Sequence, residues 1–92
     1  MTLEELYNIL ESKVYYEKES MRKFSFTDNS IHIDRKALIP FFIYKEEGNF
    51  FLAPDTPIAA EKDLRIEINS MAADHLHLYG KESGNELLKL EA

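Results

Sequence analysis

The sequence predicts an α+β fold, with an N-terminal amphipathic helix packed on an antiparallel β-sheet of about five or six strands, in a chain that forms a homodimer. Three observations lead there. Apolar residues recur with a period of 3.6 at the start of the chain and with a period of 2 beyond residue 23. Glycine, asparagine, aspartate and proline fall between the alternating runs, where the chain must reverse. The stretch PFFIYKEEGNFFLAP, residues 40–54, carries bulky apolar side chains at successive positions in both arms, so both faces of that hairpin are apolar.

The helix comes first. Thr2 is placed as N-cap with Glu5 three residues later, a capping box, and Met1 and Leu6 are spaced as a hydrophobic staple. Leu3, Leu6, Tyr7, Leu10 and Val14 form one apolar stripe, which predicts a helix from about residue 3 to about residue 20. Glu4 and Glu5 lie at the positive end of its dipole.

KFSFTDNSIHID then reads as a hairpin reversing at Asp28-Asn29, residues that tolerate positive φ. Its register sets Phe26 against Ile31 and Phe24 against Ile33 on one face, and leaves Ser25, His32 and Asp34 on the other. RKALI is expected as a short helical turn capped by Asp34 and stopped by Pro40, which disfavours helical geometry at Ile39. In the second hairpin, turning near Glu47-Gly48, Phe41 and Ile43 point one way and Phe42 and Tyr44 the other. Phe50, Phe51 and Leu52 repeat the pattern. PDTPIAAEKD is a loop, with one helical turn opened by Thr56-Pro57. LRIEINS alternates with Leu64, Ile66 and Ile68 inward, and HLHLYG with Leu76 and Leu78 inward. A Gly-Asn turn leads to a last strand, ELLKLEA.

At 92 residues the chain reads as one domain, residues 1–92, with a modest core. It has no cysteine, which removes disulfides and thiolate chemistry and points to a reducing, cytoplasmic setting. The N-terminus lacks the basic and apolar regions of a signal peptide, and no apolar run approaches the roughly 18–20 residues of a membrane-spanning helix. A membrane partner is therefore not expected.

Motifs for catalysis are missing. There is no Gly-x-Ser-x-Gly, and GKESGNE has neither the order nor the spacing of a phosphate loop. His75 and His77 lie on one strand face about 7 Å apart, within reach of one metal ion, with His32 or Asp74 as the third ligand to nominate. Two histidines on a solvated face explain the same spacing, so no metal, no cofactor and no enzymatic activity is expected. Arg22-Lys23 and Arg35-Lys36 come together in the first hairpin's register, either pairing with Asp34 and Glu19 or docking an acidic surface.

The charge is uneven. Residues 1–45 hold seven acids and seven bases, residues 46–92 ten acids and four bases, so the net charge of −6 lies in the second half. That argues against direct nucleic-acid binding and permits occupation of a site built for polyanions. Duplex DNA carries one charge per about 1.7 Å of axis, or about 18 over a small domain's length of about 30 Å. One chain is too dilute by about threefold, and two chains come within a factor of about two. The positions available for such a surface are Glu46, Glu47, Asp55, Glu61, Asp63, Glu67, Asp74, Glu82 and Glu86, with Glu4, Glu11 and Glu19 from the helix.

In size, acidity, lack of cysteine and expected dimerisation, the whole chain resembles the small acidic DNA-mimic proteins of phages, including the anti-restriction inhibitors. The resemblance is one of profile and transfers no residue by motif. It implies an inhibitor that occupies the DNA-binding site of a host nuclease or nucleoid protein, its partner being a basic DNA-binding protein. The alternative is an accessory or structural module, of immunity or assembly type, that binds through an apolar sheet face. Phe42, Tyr44 and Phe51 are its candidates, and equally those of a dimer seam, because two or three exposed aromatics make a patch larger than monomers usually show.

Overall fold

The computed structural model describes residues 1–27, 29–34, 37–58, 61–69 and 73–92. It shows a short helix, α1 (Leu3–Ser12), followed by eight strands: β1 (Val14–Glu17), β2 (Lys23–Thr27), β3 (Ser30–Ile33), β4 (Ala37–Glu46), β5 (Asn49–Pro54), β6 (Leu64–Ile68), β7 (His75–Gly80) and β8 (Glu86–Glu91). Each strand pairs antiparallel with the next, and β8 returns to β1 through Tyr16–Glu91 and Glu17–Leu90. The sheet is thus a closed eight-stranded barrel and not the open sheet of five or six strands expected from the sequence.

Two segments account for the difference. The helix ends at Ser12, so Val14–Glu17, predicted as helical, is a strand. Val14, Tyr15 and Tyr16 are β-branched or aromatic and favour a pleated surface. Tyr15 is wholly buried in the barrel, and its hydroxyl donates to the carbonyl of Ala73 at 2.9 Å. Within RKALI, residues 37–39 are extended and pair with β3, so the expected helical turn gives way to strand; Arg35 and Lys36 lie outside the described residues. The helical turn expected to open at Thr56-Pro57 falls partly on 59 and 60, also outside them; Ile58 and Glu61 form an antiparallel bridge, the Glu61 amide donating to the Ile58 carbonyl at 3.1 Å.

The remaining elements follow their alternation. Phe24 opposes Ile33 and Phe26 opposes Ile31, as the first hairpin's register requires. The second hairpin turns on Glu47 and Gly48, both at positive φ, 51° and 82°, which suits the right-handed twist of its strands. The capping box at Thr2 and Glu5 is complete.

One inward face now forms the core. Phe24, Phe26, Ile31, Phe41, Ile43, Leu52, Leu64, Ile66, Leu76, Leu78, Leu88 and Leu90 fill the barrel, as expected when eight strands leave room for side chains and little else. Leu6 and Leu10 of α1 join this core, and the helix stands where β3 stops short of the far half of β4. There the amide of Ile43 donates instead to the hydroxyl of Tyr7 at 2.6 Å, and the Tyr7 ring stacks on Phe41. Among the described residues no helix is long and apolar enough to cross a membrane.

Candidate functional site

Closing the sheet makes every second residue of β4 to β8 an outward one, and the pairing aligns these in rows. One row runs Tyr44, Phe51, Arg65, Tyr79, Glu86; the row beside it begins with Phe42 and Ala53. Although both rows present aromatic rings to the outside, they differ in what covers them.

Phe51 is only 7% exposed. Tyr44 stacks on it with centroids 5.3 Å apart, and Lys81, from the β7–β8 turn, lies over both rings, its ammonium 4.8 Å from the Phe51 centroid and 5.2 Å from that of Tyr44. The lysine is held by Glu46 at 3.2 Å and by the Tyr44 hydroxyl at 3.1 Å, while that hydroxyl donates to Asp63. Hydrogen bonds from Lys81 to Tyr44 and Glu46 raise the lysine's pKa, and burial, then the Asp63 bond, raises that of Tyr44. Further along the row, Arg65 sits 4.6 Å over the Tyr79 ring and pairs with Glu67 at 3.1 Å. Glu86 accepts from Tyr79 and contacts His77 at 2.8 Å, and these bonds, His77 first, hold its carboxyl below the ordinary range.

Phe42 has no such cover. It is 59% exposed, and Leu38, on the same outward face of β4, is 61% exposed, with exposed Pro40 between them. Phe42 is one wall of a groove of about 490 Å³ that is also lined by Pro40, Phe41, Ala53, Pro54 and Pro57, with Asp55, Lys62 and Asp63 along it. The outward face of β4 is therefore an apolar stripe, about 20 Å long from Leu38 to Tyr44 at the usual rise of a strand. The helical turn expected over RKALI and stopped at Pro40 would not align Leu38 and Pro40 with Phe42; the extended backbone of 37–40 does. The signal was present: Leu38, Pro40, Phe42 and Tyr44 sit at i, i+2, i+4 and i+6.

Of the three apolar candidates, then, Phe42 is open, Tyr44 is half-buried and Phe51 is buried by its own neighbours. The twelve acidic candidates are not gathered on one surface. Glu4 and Glu11 lie on α1, Glu47 in the β4–β5 turn and Asp74 just before β7, all at the helix end of the barrel. Asp55, Glu61, Asp63 and Glu82 lie in the loops of the opposite end, with Glu19, which is in the β1–β2 turn and not in the helix. Glu46, Glu67 and Glu86 occupy the wall between, each against a basic partner: Lys81, Arg65 and His77.

His75 and His77 both point outward but engage different carboxylates. His75 lies 3.7 Å from Glu91 and 3.8 Å from Asp74, whereas His77 contacts Glu86. His32 stands on β3, four strands away round the barrel. Among the described residues no group of three or more His, Asp or Glu is arranged to hold a metal ion. Arg22 pairs with Glu17 at 2.9 Å, and the Asp34 carboxylate accepts from the Lys23 amide at 2.9 Å. The basic patch expected from Arg22-Lys23 with Arg35-Lys36 falls half outside the described residues. Comparison of the chain with protein-family models, with curated proteins and with solved structures returned no match.

Proposed function

We propose that this chain is a non-enzymatic protein-interaction module, an accessory or structural component that binds a protein through the outward face of β4. One observation carries the reading: Leu38, Pro40 and Phe42 form an open apolar stripe on a wall whose next aromatic row is covered. A single exposed aromatic is ordinary, but a stripe of three apolar residues beside an apolar groove has the makeup of a binding patch. Leu38 and Pro40 lie where β4 is already paired with β3, so a partner on this stripe meets side chains and not backbone.

The DNA-mimic reading draws less support. Its basis is the net charge of −6, and it requires one ridge of unpaired carboxylates, whereas Glu46, Glu67, Asp74 and Glu86 each lie against a basic side chain and the others divide between two ends of the barrel. A photo-crosslinking residue placed at position 42, with position 14 on the far wall as control, tests the choice in cells that make the protein. Protein adducts formed from position 42 and not from 14 are expected. Equal yields from both, or none from 42, end the reading; adducts dominated by DNA-binding proteins, and lost when duplex DNA competes, favour the mimic.

A further inference from the structure

The covered row is built like a receptor for a cation. Tyr44 and Phe51 stack with centroids 5.3 Å apart and planes 20° from parallel, so their rings offer one π surface. Over it lies the Lys81 ammonium, 4.8 Å from the Phe51 centroid and 5.2 Å from that of Tyr44. Glu46 Oε2 accepts from that ammonium at 3.2 Å and the Tyr44 hydroxyl oxygen at 3.1 Å. The hydroxyl is turned to accept because its own proton goes to Asp63. Two acceptors and a ring face match the three N–H groups of a primary ammonium.

Receptor and occupant come from different parts of the chain. Tyr44 and Glu46 belong to β4 and Phe51 to β5, paired with each other along one hairpin, and Asp63 stands just before β6. Lys81 arrives from the β7–β8 turn, residues 81–85, which is exposed throughout and in which Gly84 has a φ of 73°. The acceptors and rings are thus assembled without Lys81, and the lysine stands to them as a tethered ligand stands to its site. We infer that Tyr44, Glu46 and Phe51 form a binding site for a primary alkylammonium group, which Lys81 fills from within and closes to amines from outside. Hydrogen bonds to Tyr44 and Glu46 raise the lysine's pKa, as a site that holds the charged form requires. An exposed ion pair adds little to the stability of a fold; what these partners add is selection for charge and for N–H groups. The site lies on the covered row and is independent of the open stripe of Leu38, Pro40 and Phe42.

Titration of the Lys81→Ala chain with n-butylammonium, followed by nuclear magnetic resonance at fixed ionic strength, tests the site. Saturable shifts at Tyr44, Glu46 and Phe51 are expected, with a dissociation constant in the millimolar range, about 1–50 mM. Glu46→Gln on the same background should weaken binding about fivefold or more, through loss of a charge-assisted hydrogen bond. Tetramethylammonium, which has the charge without N–H groups, and 1-butanol, which has the carbon chain without the charge, should each bind at least about fivefold more weakly. The unaltered chain should bind n-butylammonium about tenfold more weakly or not at all, because its own lysine is held at high effective concentration. A second measurement uses the unaltered chain alone: the Lys81 ammonium signal should exchange with water more slowly than those of the other lysines, and Glu46→Gln should speed it. Shifts that never saturate overturn the inference, as does an equal response to either control. Equal binding by the unaltered chain, or a Lys81 ammonium that exchanges as fast as the rest, overturns it too. None of these outcomes bears on crosslinking from position 42.

Discussion

Phe51 and Phe42 are outward aromatics on adjacent strands of one hairpin, and they have opposite fates. Phe51 sits opposite Tyr44, a ring that stacks on it, and a lysine from a distant turn closes over the pair. Phe42 sits opposite Ala53, which offers no lid. The comparison teaches that an apolar residue on the outside of a barrel is not by itself a binding site. Long charged side chains bury such surface beneath their methylene stems while keeping their charge in water. What remains open after that internal covering is the informative surface, and here it is the stripe from Leu38 to Phe42.

Substitution sharpens the contrast. Phe51→Ala should cost about 3 kcal/mol in urea unfolding, near the low end for a buried phenylalanine because one side of its site opens to solvent. Should its cost match that of Phe42→Ala, the two rings are equivalent and the covered row has no meaning.

Covering extends to its limit at Tyr15, wholly buried and bonded to the Ala73 carbonyl. Burial, with Asp74 adding to it, pushes the Tyr15 hydroxyl up to about 12 from an ordinary 10.0. A raised folded-state value means that the stabilisation is complete below pH 10 and is lost as pH climbs through the folded value, by about 2.7 kcal/mol for a shift of this size. Chemical unfolding between pH 9 and 12 should show that decline. Tyr15→Phe should lose about 1 kcal/mol at neutral pH, for the missing hydrogen bond, and should flatten the alkaline limb.

Lys81 separates covering from charge. Lys81→Ala uncovers Phe51 and should lower the melting temperature, though less than Phe51→Ala does. Lys81→Met keeps the stem and should recover most of what alanine loses. If alanine and methionine are equally damaging, the ammonium and its bonds to Glu46 and Tyr44 provide the cover, and not the methylenes.

At the far end of the covered row, Glu86 has its carboxyl lowered by His77 and Tyr79. A lowered folded-state value contributes stability above the ordinary 4.5, and this is lost as pH falls through the folded value. Glu86→Gln should therefore flatten the acid limb of the stability profile below that point, a modest effect at an exposed site. Smallest of all, Phe42→Ala should change the chain's stability by no more than about 0.5 kcal/mol.

Much of the fold was legible because it rests on local chemistry. The capping box at Thr2 and Glu5, the facing of Phe24 with Ile33, and the Glu47-Gly48 turn each depend on residues a few positions apart. Barrel closure was not legible. The pairing of Tyr16 with Glu91 joins the two ends of the chain, and the strand that makes it is four residues long and begins with Val14, which also fits the helical stripe. The expected acidic ridge failed to assemble for a related reason: spacing along the chain places two carboxylates on one strand, but loops carry Asp55, Glu61 and Glu82 to one end and Glu47 and Asp74 to the other.

By itself the sequence determined which residues alternate, where the chain turns, which side chains face the core within each hairpin, and a net charge of −6. Only the tertiary structure decided that the sheet closes, that Lys81 seals Phe51, and that Leu38, Pro40 and Phe42 stay open. The reason is physical. Alternation and turn preference are properties of neighbouring residues, whereas closure and covering depend on which distant segments meet, and that is settled by burying one common interior.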